Sequence, residues 1–204
     1  MMTITYLGGN SIYINMTNKC PCACTFCLRH NKDYVFNSDS LWLEREPSVK
    51  EVCDSIDGWD LAKYDEIVFC GYGEPTERLD DLLKVAEYIR SKSDIHIRIN
   101  TNGLSDLIWK ERTAPKLKGL IDTVSISLNA TDKETYLSVV RPKFGIDSYN
   151  AMLEFAKDCT NFVPNVVMTV VDVVTSAEEQ EKCRRICEET GTKLRIRPYE
   201  SPEE

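Results

Sequence analysis

"IHIRINTN", residues 95–102, alternates between apolar and polar side chains. In an extended strand, Ile95, Ile97 and Ile99 fall on one face and His96, Arg98, Asn100 and Asn102 on the other, because successive side chains point to opposite sides. Strands of a doubly wound sheet are covered by helices on both faces and read as near-continuous apolar runs. A polar face argues instead for helices on one side and a wet concave interior on the other. "DTVSISLN" (122–129) repeats the pattern, with Val124, Ile126 and Leu128 opposing Thr123, Ser125, Ser127 and Asn129. "KLRIRPY" (193–199) does so again, with Leu194 and Ile196 opposing Arg195, Arg197 and Tyr199.

Three further stretches read as strands from their β-branched and aromatic content: "SIYINMT" (11–17), "EIVFCG" (66–71) and "NVVMTVVDV" (165–173). Helical patterns separate them. "SVKEVCDSIDGW" opens on Ser48 with Glu51 three positions on, a capping box. "LDDLLKVAEYIRSK", "NAMLEFAKDC" and "AEEQEKCRRICEETG" carry apolar residues at helical spacing, the last ending on a glycine stop. Strand followed by helix, repeated, predicts parallel βαβ units with right-handed crossovers. "TITYLGGNSIYI" predicts a hairpin turning on Gly8 and Gly9. A complete eight-unit barrel needs about 250 residues, so the expected fold is α/β: a partial (β/α)6 TIM-like barrel with an N-terminal β-hairpin, one domain over residues 1–204. The site is expected where the strand-to-helix loops gather, at the carboxyl ends of the strands.

Bulk properties narrow the function classes. The net charge of −8 argues against a broad nucleic-acid surface, which reads basic. "MMTITYLGG" lacks the basic start and apolar core of a signal peptide, and no apolar run approaches a membrane span; the expectation is a cytoplasmic protein with no membrane partner. Nine cysteines in a reducing compartment point to metal ligation or catalysis before disulfides. Cys53, Cys70, Cys159, Cys183 and Cys187 are scattered and are expected to pack in the core, the last two on one helix face.

The remaining four crowd into "NKCPCACTFCLRH" (18–30), immediately after the first expected parallel strand. A zinc site would want a second cysteine pair or histidines, and the histidines are His30 and His96. Cys24 and Cys27 could form a redox C-x-x-C, which prefers a helix start in a thioredoxin-like fold. The third reading takes Cys20, Cys24 and Cys27 as C-x-x-x-C-x-x-C thiolates on an irregular loop. Cubane clusters normally take four thiolates; three leave one iron open, and an open metal position marks a catalytic site. Cys22 does not fit that spacing, and Pro21 biases Cys20 toward an extended backbone.

With this loop in this place, the chain resembles the radical S-adenosylmethionine (SAM) enzymes over essentially its whole length. The short opening and compact size most resemble the small TatD-nuclease-linked radical SAM proteins. The resemblance implies a [4Fe–4S] cluster on Cys20, Cys24 and Cys27, with SAM chelated through its amino and carboxylate groups at the open iron. Reductive cleavage of SAM then yields methionine and a 5′-deoxyadenosyl radical that abstracts a hydrogen atom from substrate. Phe26, before the last cysteine, matches the residue whose backbone contacts the adenine. "GYGEP" (71–75) resembles the family's Gly-Gly-Glu-Pro motif with Tyr72 interposed, which makes Gly73 and Glu74 candidates for the SAM ammonium. Ser127 and Asn129 resemble the ribose contacts, Arg141 in "VVRPKFG" resembles the carboxylate partner, and Asn102 is a weaker contact. The alternatives are a strand-to-helix turn with a solvated glutamate for Gly73 and Glu74, generic lining of a wet barrel for Ser127 and Asn129, and a surface arginine before a proline turn for Arg141.

Arg98, Arg195 and Arg197 share the interior parity. Three arginines facing a cavity are costly unless they meet anions, so they are candidate contacts to a carboxylate or phosphate on the substrate. The alternative is pairing with interior carboxylates such as Asp172. The last strand ends close to the end of the sequence, which leaves no expected second cluster. An open lower half points to a large substrate or a protein partner. The resemblance adds a flavodoxin or ferredoxin-type reductant and an association with a TatD-family nuclease. The competing function class is a non-catalytic iron–sulfur electron-transfer or metal-binding protein.

Overall fold

The computed structural model describes residues 2–30, 32–36, 38–172 and 176–198. One sheet holds β1 (Thr5–Gly8), β2 (Ser11–Ile14), β3 (Glu66–Phe69), β4 (His96–Thr101), β5 (Thr123–Ser127), β6 (Asn165–Val171) and β7 (Lys193–Arg197), in that spatial order. β1 lies antiparallel to β2, and every later neighbour is parallel. The turn between β1 and β2 falls one residue later than the sequence implies, on Gly9 and Asn10, with Gly9 at φ 58°. The positive φ explains the choice, since glycine adopts it without a Cβ penalty.

Strands that pair in sequence order by right-handed crossovers place all their helices on one face. The register makes that face continuous. Ile14, Phe69, Ile99, Val124 and Val166 stand in one row across five strands and are all buried. Against it pack α1 (Val49–Ile56), α2 (Leu79–Arg90), α5 (Ser148–Cys159) and α6 (Ala177–Thr190), through residues such as Ile56, Leu82, Ile89, Phe155 and Cys183. The opposite face carries rows such as Ser127, Thr169 and Arg195. The result is an α/β fold dominated by a parallel sheet with one apolar and one polar face.

The capping box is formed at α1: the Ser48 side chain accepts from the Glu51 backbone N–H, and Glu51 accepts from the Ser48 backbone N–H at 2.9 Å. Gly191, at φ 71°, ends α6. Two helices escape the sequence reading: α3 (Ser105–Trp109) and α4 (Lys133–Val140). α3 is too short to display a helical period. α4 is rich in β-branched residues, and its start is set by Asp132, which accepts from Thr135 N at 2.8 Å. Cys53, Cys159, Cys183 and Cys187 are buried as expected, and Cys70 is half-buried. Tyr199 and Val173 lie outside the described residues. No helix among the described residues is long and apolar enough to cross a membrane.

Candidate functional site

The chain leaves β2 at Asn15 and runs without regular structure to a 3-10 turn at Leu28–His30. Its backbone N–H groups need partners from elsewhere, and α4 supplies them. Ala23 N donates to the carbonyls of Val140 at 3.1 Å and Arg141 at 3.3 Å, and Thr25 N donates to Val139 at 2.9 Å. These are carbonyls of the last helical turn, which have no partner within the helix. In return Lys143 N donates to Pro21 O at 2.8 Å. Cys27 N donates to Cys24 O at 3.2 Å, closing a turn over Thr25 and the half-buried Phe26.

The loop after β3 grips the other side. Glu74 N donates to Lys19 O at 2.7 Å. A Cβ on Gly73 would sit 2.3 Å from the Thr17 carbonyl oxygen and 2.6 Å from that of Lys19, so only glycine lets the two loops approach this closely. The Glu74 carboxylate is buried. Its Oε1 accepts from Thr76 N (3.1 Å), Thr76 Oγ1 (2.7 Å) and Thr101 Oγ1 (2.7 Å), and its Oε2 accepts from Asn102 N at 2.7 Å. Burial pushes its pKa up against the pull of these donors. With a single donor drawn here, Oε2 keeps acceptor capacity for a cation.

Cys20, Cys24 and Cys27 are half-buried, whereas Cys22 is 4% exposed and packs inward. The Cys22 thiol lies within hydrogen-bonding reach of both Cys20 and Cys24; those contacts lower the Cys20 and Cys24 pKa values and raise that of Cys22. Burial raises Cys27. Asn102 accepts from Leu104 N at 2.9 Å through Oδ1 and aims Nδ2 at the sulfurs of Cys22 (3.6 Å) and Cys20 (4.0 Å). Among the described residues, no three His, Cys, Asp or Glu side chains form a single-ion site. In a cubane each ligating thiolate binds a different iron, so these sulfurs need not converge on one point.

Asn129, just past β5, has φ 60° and is 6% exposed, and its buried Oδ1 has no hydrogen-bond partner among the described residues. A buried acceptor left unmade costs about 1–3 kcal/mol. Ser127 ends β5 half-buried. Arg141 takes the left-handed conformation at the end of α4, with φ 50°; its side chain is exposed and folds back onto the Ser138 carbonyl at 3.3 Å. Thus its backbone holds the cysteine loop while its guanidinium points back along its own helix.

The three interior arginines part ways. Arg98 is paired with Glu66, through Nε to Oε2 at 3.0 Å and NH2 to Oε1 at 2.5 Å, and also donates to Asn100 Oδ1 at 3.0 Å. Its charge is answered inside the fold by Glu66, which removes the motive for assigning it to substrate. Arg195 and Arg197 are exposed on the edge strand β7. The sequence reading missed how far Thr101 matters: parity puts it on the apolar face, yet it anchors Glu74. It gave Asn102 only a minor place. A polar residue at a strand's carboxyl end was the available signal.

Three thiols on an irregular loop, the buried carboxylate of Glu74 and an acceptor unpartnered among the described residues gather at the carboxyl end of the sheet. The radical SAM superfamily model matches residues 14–187, and the chain belongs to that superfamily. Its cofactors are a [4Fe–4S] cluster and SAM, and the residues present fit both: the thiol set for the cluster and the unpartnered, buried Asn129 Oδ1 for a polar ligand. The chain is 27% identical over 151 residues to a probable dual-specificity RNA methyltransferase RlmN from Clostridium novyi, across 68% of this chain and 39% of that protein. The chain spans about half or less of the length of such curated relatives. Among solved structures, Streptococcus suis SuiB bound to its precursor peptide SuiA has a TM-score of 0.69 at 16% identity, over 94% of this chain and 39% of that one. A radical SAM methyltransferase from Sphaerobacter thermophilus has a TM-score of 0.62 at 14% identity, over 98% and 70%. These are likenesses of fold. Membership of that superfamily makes this chain an enzyme of the radical SAM class.

Proposed function

We propose that the chain is a single-domain partial (β/α)6 barrel that cleaves SAM reductively and abstracts a hydrogen atom from an anionic substrate. The observation that carries the reading is the orphaned Asn129 Oδ1, buried at the same end of the sheet as the cysteine loop. A ribose hydroxyl supplies the donor it lacks, and Ser127 stands two residues away on the same strand end. Cys20, Cys24 and Cys27 hold the cluster. When bound, a reduced [4Fe–4S] cluster supplies the electron that splits SAM into methionine and the 5′-deoxyadenosyl radical. Glu74 Oε2 would accept from the SAM ammonium, a charge-assisted bond, and the Phe26 backbone would contact the adenine. Arg141 would reach the SAM carboxylate only by leaving the Ser138 carbonyl. Arg195 and Arg197, exposed on β7, are the candidate substrate contacts.

The reading extends to a cytoplasmic protein reduced by a flavodoxin or ferredoxin, in the small TatD-nuclease-linked group. The names of the matched methyltransferases favour one further version, in which SAM also donates a methyl group. Anaerobic reconstitution followed by SAM and dithionite distinguishes these. 5′-Deoxyadenosine is expected, and methyl transfer adds S-adenosylhomocysteine. A cluster whose EPR spectrum ignores SAM, with no 5′-deoxyadenosine formed, would leave the non-catalytic iron–sulfur protein as the reading.

A further inference from the structure

Tyr136 is among the largest fully buried side chains of the described residues, 1% exposed, and its hydroxyl has no hydrogen-bond partner among them. Phenylalanine would fill the same space without burying an unpaired hydroxyl, so packing does not explain the oxygen. Its position does. Tyr136 lies one turn before Val140 on α4, and both are buried on one helix face. The Val140 carbonyl is one of those that receive the cysteine loop. The ring is held by Tyr149 of α5 in an edge contact, with centroids 5.5 Å apart and planes at 61°. Cys22, Cys24, Glu74 and Cys20 all act on the hydroxyl electrostatically, while burial, the largest influence, keeps it protonated.

We propose that Tyr136 donates a hydrogen bond from its phenolic O–H to a sulfur of the cluster held by Cys20, Cys24 and Cys27, and so raises the cluster's reduction potential. This rests on the cluster assignment made above. Reduction adds negative charge that the sulfurs share, so a donor to sulfur favours the reduced form, and hydrogen bonds to sulfur are an established lever on cluster potential. Neither the family's cysteine motif nor the SAM contacts call on this residue.

The test is Tyr136→Phe, with Tyr149→Phe as the control for disturbance of the same aromatic pair. After anaerobic reconstitution, iron and sulfide per chain are counted and the cluster is titrated by EPR at controlled potentials without SAM. Wild type and both variants are expected to load equally. At a fixed potential the ratio of reduced to oxidised cluster should fall about tenfold in Tyr136→Phe, a shift of about −59 mV for a one-electron couple, and stay unchanged in Tyr149→Phe. The apo form of Tyr136→Phe should melt no lower than wild type, because the lost hydroxyl has no partner among the described residues. Equal loading with coincident potentials overturns this inference alone. A wild-type chain that binds no cluster overturns the assignment beneath it as well. A Tyr149→Phe potential that falls as far as that of Tyr136→Phe also overturns it, by pointing to ring packing.

Discussion

Gly73→Ala should separate the fold from the cofactor site. The Cβ of alanine would lie 2.3 Å from the Thr17 carbonyl oxygen, 2.8 Å from the Thr17 carbonyl carbon and 2.6 Å from the Lys19 carbonyl oxygen. All three are backbone atoms, so no side chain can swing away. Bringing the worst contact from 2.3 Å to the 3.0 Å that real Cβ atoms respect needs a shift of at least 0.7 Å. That shift falls on the segment that delivers Cys20 and pulls on the Glu74 N to Lys19 O bond of 2.7 Å. Gly73 has no positive φ, so the penalty is steric rather than conformational. Overpacking of this kind costs about 1–3 kcal/mol, or roughly 2–12 °C in melting temperature at this chain length. Calorimetry of the apo protein measures the cost, and iron and sulfide per chain after reconstitution measure the effect on the site; both should fall while far-UV circular dichroism stays native. Gly58→Ala is the matched control, since its Cβ meets only the Ser55 carbonyl oxygen at 3.3 Å, and it should be near neutral. A Gly73→Ala protein with wild-type melting temperature and cluster content would refute the claim that this glycine exists for backbone approach.

Alanine at Cys20, Cys24 or Cys27 should abolish the cluster's visible absorbance after reconstitution, whereas Cys22→Ala should retain most of it; equal loss in all four would merge Cys22 with the ligands. Arg98→Met leaves the Glu66 carboxylate, whose side chain is 22% exposed, with the Ser11 hydroxyl but without its cation, and should cost about 1–3 kcal/mol in urea denaturation. The double variant Arg98→Met/Glu66→Gln should recover most of that, and a single variant as stable as wild type would show the pair to be inert. Arg45, with help from Ser48, holds the exposed Glu51 carboxyl down at about 2 from its ordinary 4.5. A depressed carboxyl stabilises the fold above its unfolded pKa and loses that contribution as pH falls through the folded one. Melting temperature should therefore drop between pH 4.5 and 2 by more in wild type than in Glu51→Gln, and parallel curves would deny the cap an electrostatic role.

The sheet was readable because its two faces differ in composition. Alternation in 95–102 and 122–129 separates residues that touch helices, Ile97 and Val124 among them, from residues that do not. The three-cysteine spacing was equally local. What was not readable depends on contacts between segments distant in sequence. Arg98 is 32 residues from Glu66, so parity could place the guanidinium on the polar face without showing the carboxylate paired with it. Thr101 falls on the apolar parity and is buried there, yet its hydroxyl turns to Glu74 across 27 residues. Asn129 was found as a candidate, but its orphaned oxygen is a property of the folded interior.

The end of α4 shows how such distant pieces become one site. A cofactor loop must stay irregular to present several thiols at once, and irregular backbone leaves N–H groups unpaired unless something fixed receives them. A continuing helix could not do so, because its carbonyls would be taken by the next turn. Here Arg141 adopts the left-handed conformation and Pro142 follows, so α4 stops and the carbonyls of Val139, Val140 and Arg141 turn to Ala23 and Thr25. A left-handed non-glycine residue costs on the order of 1–2 kcal/mol, and a cost of that size held in place marks a position the surroundings require. "VVRP" therefore acts first through its backbone, as the ledge on which the cysteine loop rests. The Arg141 guanidinium is free of that duty, which leaves its side chain able to leave Ser138 for a ligand while the loop stays docked.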